Sequence, residues 1–193
     1  MKHLVIMAKA PEAGRVKTRL ARQVGAVEAA RVYRSILGGT LRRLASDPRW
    51  RTWVAAAPDR AAHGPIWPPS VSVVAQGWGN LGDRMQRVFD HMPTGPVIII
   101  GSDIPNIATR DIAQGFQTLG HADAVIGPAP DGGYWLVGQR RRPKVLSMFA
   151  NVRWSGPHAM SDTLANLQDA TVGLTSQKAD LDTRDDYLAW RKL

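Results

Sequence analysis

The sequence predicts an α/β protein of three layers, with helices on both faces of a mostly parallel central sheet. Short apolar runs alternate with stretches of helical period along the chain, which is the pattern of strands joined by crossover helices. The run Pro96-Val97-Ile98-Ile99-Ile100 is branched, apolar and bounded by Pro and Gly, as a strand buried on both faces would be. With 193 residues, 44% hydrophobic and 21% charged, the chain suits one core, and 1–193 reads as a single domain.

Residues 3–8 read as the first strand; the apolar segment is too short for a signal peptide and runs into Lys9. A helix is expected over 26–46, where Ala29, Val32, Tyr33, Ile36, Leu37, Leu41 and Leu44 recur at spacings of three and four. Strands at Thr52 to Ala56 and Val71 to Ala75 flank a Pro-rich loop from Pro58 to Pro69. A helix over 81–92 places Leu81, Met85, Val88 and Phe89 on one face, and the strand 96–100 leads into a helix over 109–119. Two more strands follow at Ala122 to Gly127 and Tyr134 to Gly138. The tail holds a helical stretch over 156–168, a short apolar stretch at 171–175, the extended run Ala179 to Thr183 and a last helix from about 184.

Composition limits the chemistry. With 25 Lys and Arg against 16 Asp and Glu, the net charge of +9 favours anionic partners such as phosphates. Nucleic acid is disfavoured, because the cations are dispersed and the densest cluster, Arg140-Arg141-Arg142 with Lys144, has no interleaved aromatics. The absence of cysteine excludes disulfides, thiolate metal sites and a Cys nucleophile, and with no apolar run long enough to span a bilayer a cytoplasmic protein is expected. Any metal would therefore be held by oxygen or imidazole, and His63, His91, His121 and His158 show no zinc-protease or triad spacing, so zinc hydrolysis and triad chemistry are disfavoured. There is neither a P-loop nor a G-x-G-x-x-G fingerprint.

Five segments carry chemistry. Asp103, just past the buried strand, stands where open α/β sheets keep ligands, as a hard-cation ligand or as a cap of the next helix. The loop from Ala8 to Leu20 concentrates cations with Gly and Pro, which suits phosphates; a solvated basic loop is the alternative. Gly-rich turns at Gln76 to Met85 and Pro128 to Leu136 permit close backbone approach, although Asn80 is also placed to cap a helix and Asp131-Gly132-Gly133 is also a tight-turn sequence. Asp180 and Asp182 share one face of an extended segment, unless Asp182 or Thr183 serves as a cap.

Taken in order, K-A-P-x-x-G-x-V-K-T-R-L, N-L-G-x-R-M, G-S-D-I-P, P-A-x-D-G-G-Y-W-L-V-G and D-L-D-T resemble the bacterial DUF2064 group, GT-A-like members of the nucleotide-diphospho-sugar transferase superfamily. The resemblance implies a GT-A-type fold and a nucleotide held by the first loop (Ala8, Lys9, Pro11, Gly14), with Arg15, Lys17 and Arg19 near its phosphates and Gly79, Asn80, Leu81 and Arg84 beside it. It further implies Mg²⁺ or Mn²⁺ on Asp103 and Asp182, with Asp180 left open, and Lys17 and Asp103 as the catalytic pair. Asp131, Gly132, Gly133, Tyr134 and Trp154 would border the acceptor or sugar; Trp154-Ser155-Gly156-Pro157 departs from the expected second Thr or Ser, which weakens a role for Ser155. The expected reaction is nucleotidyl transfer from a nucleoside triphosphate to a small phosphorylated acceptor. Glycosyl transfer from a nucleotide sugar is the alternative, and a non-catalytic basic nucleotide-binding module is a third. The lack of D-x-D at Gly101-Ser102-Asp103 favours the first.

Overall fold

The computed structural model describes residues 1–192. Along the chain run β1 (His3–Lys9), α1 (Thr18–Val24), α2 (Ala26–Ala45), β2 (Arg51–Ala57), β3 (Ser72–Ala75), α3 (Leu81–His91), β4 (Val97–Gly101), α4 (Thr109–Thr118), β5 (Ala124–Pro128), β6 (Tyr134–Gln139), α5 (Ala159–Ala165), β7 (Val172–Leu174) and α6 (Arg184–Trp190). The strands form one sheet in the order β3-β2-β1-β4-β6-β5-β7. β6 is antiparallel to both its neighbours, and the other pairings are parallel. β1 and β4 lie at the centre, in a register that sets Ile6 opposite Val54 on one side and Ile100 on the other.

Alternation along these central strands divides the core. Leu4, Ile6, Ile98 and Ile100 pack on one face with Tyr33, Leu37, Leu41 and Leu44 of α2 and Ile112 and Phe116 of α4. Val5 and Ile99 point the other way, onto Met85, Val88 and Phe89 of α3 with Met148 and Phe149. Each fully buried Leu, Ile or Phe contributes about 1.5–3 kcal/mol relative to exposure, so the centre of the sheet is the most strongly held part of the molecule. No helix among the described residues is long and apolar enough to cross a membrane.

The structure departs from the sequence reading in a few places. Residues 18–24 are helical rather than loop: α1 spans only 7 residues, too short to display a helical period, and buries Leu20 against Ala29, Val32, Ile36, Leu181 and Tyr187. The Pro-rich stretch contains a short 3-10 helix, Asp59–His63, whose Ala61 carbonyl accepts from Trp67 Nε1 at 2.7 Å. The helix expected over 156–168 contracts to 159–165, because Ser155 at φ 63° and the adjacent Gly156-Pro157 form a turn that delays its start. β5 begins at Ala124 because Asp123 turns aside to Thr171, accepting from its hydroxyl at 2.6 Å.

Candidate active site

β4 is the place where the sheet changes sense, with parallel β1 on one side and antiparallel β6 on the other. Asp103 lies just beyond its carboxyl end, at such a switch point. The backbone carbonyl of Asp103 accepts from Leu181 N at 3.2 Å, which draws the tail alongside. Leu181 is buried at 1% exposure against Leu20 and Ile36. Asp180 and Asp182, one residue to either side, therefore face the opposite way, and one oxygen from each of Asp103, Asp180 and Asp182 lies within 4.8 Å of the others.

The capping question is resolved by the same segment. Thr183 Oγ1 accepts from Asp186 N at 3.2 Å, and Asp186 Oδ2 accepts from Thr183 N at 2.8 Å, so Thr183 caps α6 and the Asp182 carboxylate is free for the site. α6 is anchored where Tyr187 donates its hydroxyl to Glu28 Oε1 at 2.6 Å.

Lys17 closes the cluster. Its Nζ donates to Asp103 Oδ2 at 2.8 Å and to Asp182 Oδ1 at 2.7 Å, and its side chain is only 4% exposed. Burial alone would lower its pKa, but the charge and hydrogen bond of Asp103, joined by those of Asp182, hold it above the ordinary lysine value, so the ammonium is charged. Its backbone is left-handed (φ 47°, ψ 48°) at the start of α1, a conformation that costs roughly 1–2 kcal/mol outside glycine. Arg19 Nη1 adds a second contact to Asp182, 3.1 Å from Oδ2. No salt bridge reaches Asp180 among the described residues. Burial first, then the charges of Asp182 and Asp103, push its carboxyl up to about 6. The cluster is therefore short of positive charge.

Tyr33 ties the end of β1 to the residue that follows β4, behind the site. Its hydroxyl accepts from Lys9 N at 3.0 Å and meets Ser102 Oγ at 2.9 Å, and burial raises the phenol above its usual pKa, so it stays neutral.

The carboxylates open onto a cleft of about 540 Å³. Lys9 and Arg19 line it together with these carboxylates; Tyr134, Trp154, Leu81 and Met85 give it an aromatic and apolar wall, and Asp131 and Gly133 line it as well. Tyr134 meets Thr163 Oγ1 at 3.2 Å and stands edge-on to Trp154, with centroids 6.4 Å apart. Gly132, at φ +84°, is pressed against Pro157: a Cβ there would lie 2.4 Å from the Pro157 carbonyl oxygen. Its own carbonyl accepts from Met160 N at 3.0 Å, so the β5–β6 turn is clamped to the start of α5.

The cleft thus brings together Lys9, Arg19, Leu81, Asp103, Asp131, Gly133, Tyr134, Trp154 and Asp182 of the residues expected from sequence, with Lys17 behind them and Gly132 as a clamp. Others lie elsewhere. The Ala8 side chain is in the core at 1% exposure, and Pro11 lines a separate shallow hollow of about 390 Å³ with Arg34 and Arg60. Gly14 is exposed, and Arg15 pairs with Glu12 at 3.1 Å. Asn80 caps α3, accepting from Asp83 N at 3.1 Å, while Arg84 Nε donates to the Gly79 carbonyl at 3.0 Å. Sequence reasoning missed Met7, Met85 and Ile99 as parts of the cleft surface, since their apolar spacing reads only as core.

Architecturally this is an open α/β sheet of the nucleotide-diphospho-sugar transferase type. A Desulfovibrio desulfuricans G20 protein, described only provisionally as a nucleotide-diphospho-sugar transferase, superposes with a TM-score of 0.88 at 29% identity, over 99% of this chain and 87% of that one. The 4-diphosphocytidyl-2C-methyl-D-erythritol synthase of Anaerococcus prevotii DSM 20548 shares the fold with a TM-score of 0.63 at 10% identity, over 100% and 99% of the two chains. So does a CMP:2-keto-3-deoxy-manno-octonic acid synthetase complexed with CTP, with a TM-score of 0.57 at 14% identity, again over 100% and 99%. None of the curated proteins matches the chain. Residues 40–156 match DUF2064, described as an uncharacterized protein conserved in bacteria, and the chain belongs to that family.

Proposed function

We propose that the protein is a metal-dependent transferase acting on a nucleotide, and that its reaction is nucleotidyl transfer from a nucleoside triphosphate to a small phosphorylated acceptor. The observation that carries this reading is the convergence of Asp103, Asp180 and Asp182 around the Lys17 ammonium beside the cleft. The donor set consists entirely of hard carboxylate oxygens, and an ammonium already lies among them as a stand-in cation, which fits Mg²⁺ or Mn²⁺. Asp103 and Asp182 would hold the ion, with Asp180 beside them. When bound, such an ion offsets phosphate charge and polarises phosphoryl oxygens.

The chain's own residues supply position and charge. Lys17 and Arg19 offset negative charge on the triphosphate, Lys9 faces it from the end of β1, and Tyr33, bonded to both Lys9 N and Ser102, fixes that end against the chain leaving β4. Tyr134 and Trp154 orient the acceptor, whose phosphate oxygen attacks the α-phosphorus as the bond to pyrophosphate breaks. No protein nucleophile is required.

The description of the Desulfovibrio protein favours a second reading, glycosyl transfer from a nucleotide sugar. The two differ in product. Incubation with each nucleoside triphosphate and a panel of sugar phosphates, with Mg²⁺ or Mn²⁺, should release pyrophosphate. Nucleoside diphosphate from UDP- or GDP-sugars, without pyrophosphate from any triphosphate, would move the assignment to glycosyl transfer. Asp103→Asn should abolish the metal-dependent thermal shift given by nucleotide. Salt-sensitive nucleic-acid binding indifferent to that substitution would instead indicate a non-catalytic basic module.

A further inference from the structure

Lys17 sits where a divalent cation would be held. Its Nζ is bonded to Asp103 at 2.8 Å and Asp182 at 2.7 Å, and those are two of the three carboxylates that converge within 4.8 Å. Ammonium and metal therefore compete for the same lone pairs. An ion arriving alone must displace a bonded ammonium whose side chain is 4% exposed, with Asp180 as the remaining member of the carboxylate cluster. A triphosphate changes that balance, because its oxygens accept from an ammonium as well as carboxylates do. The Lys17 carbonyl is fixed by Ala21 N at 2.8 Å, so the exchange falls to the flexible four-carbon stem.

We infer that Lys17 is a built-in competitor of the metal, so that divalent cation and nucleoside triphosphate bind together rather than separately. The inference rests on the metal-dependent reading given above. Each ligand strengthens the other by the same factor, as linkage requires. Free cation is held weakly at an otherwise complete carboxylate site.

The test is the binding of Mn²⁺ alone, by calorimetry, to the wild-type protein and to Lys17→Met and Lys17→Ala. Both variants should bind Mn²⁺ at least about tenfold more tightly, or about 1.4 kcal/mol. In the ¹H–¹⁵N spectrum of the wild-type lysine ammonium groups, the slowly exchanging Lys17 signal should persist with millimolar Mg²⁺ and shift only when a nucleoside triphosphate is added. Variants that bind Mn²⁺ no more tightly than a wild type that does bind it overturn the competitor role and leave the metal site standing. A Lys17 signal that shifts with Mg²⁺ alone overturns it too, even if neither variant folds. Failure of wild type and variants alike to bind Mn²⁺, with or without triphosphate, removes the metal-dependent reading and the inference with it.

Discussion

Gly132→Ala measures how firmly the aromatic wall of the cleft is clamped. The perturbation has two parts. The backbone at Gly132 is left-handed (φ +84°), which costs a residue with a Cβ about 1 kcal/mol. The new Cβ would also lie 2.4, 2.6 and 2.7 Å from three backbone atoms of Pro157, none of which can rotate away. Relieving such an overlap costs about 1–3 kcal/mol, giving a total of about 2–4 kcal/mol. For a chain of this size that lowers the Tm by about 5–15 °C. Two control substitutions separate the parts. Gly14→Ala has the same backbone problem (φ +78°) with nothing within 4 Å, and Gly133→Ala meets little beyond Asp131 Oδ1 at 3.1 Å. Differential scanning fluorimetry of the three variants should rank Gly132→Ala as clearly the most destabilised. If its Tm loss equals that of Gly14→Ala, the turn does not press on Pro157 and the clamp is wrong.

Asp180→Asn tests the charge deficit of the carboxylate cluster. The Asp180 carboxyl titrates at about 6 in the fold, against about 3.9 in an unfolded chain. The folded state thus holds the proton more tightly, so the group's contribution to stability is most favourable below about pH 4 and is lost as pH rises through 6. In metal-free buffer the amide should raise stability by about 1 kcal/mol at about pH 8, after allowing for partial exposure, and by nothing near pH 4; urea midpoints at the two pH values check this, and a variant less stable than wild type at the higher pH contradicts it. Asn80→Ala should cost about 1 kcal/mol by removing the α3 cap, while Asn80→Asp restores it; urea denaturation decides, and an alanine variant as stable as wild type would show that the cap carries no weight.

The parts of this fold that the sequence reveals are those whose packing has a local period. β4 is apolar on both faces because α3 and α4 cover both, so its position and the placement of Asp103 after it follow directly. Asp180 and Asp182 are legible as a pair because Leu181 between them must be buried. The ion pairs of Lys17 are not legible: they join residues 86 and 165 positions apart, and no local pattern records a partner so distant. α1 escapes detection because 7 residues make barely two turns. Trp154 reaches the cleft through irregular chain after the antiparallel β6, where neither periodicity nor turn chemistry determines the path.

The chain carries a net charge of +9, yet its cleft is lined by Asp103, Asp131, Asp180 and Asp182 against Lys9 and Arg19. Approach and docking are consequently governed by fields of opposite sign. Out to about a Debye length, roughly 8–10 Å, a polyanion meets an attractive body, and its encounter rate should fall as salt is added. Within the last few ångströms it meets four carboxylates and two cations, so a polyanion whose charge is already masked should dock more readily than a bare one. The unequal distribution of the same few charges would then gather anions at a distance and sort them at the threshold.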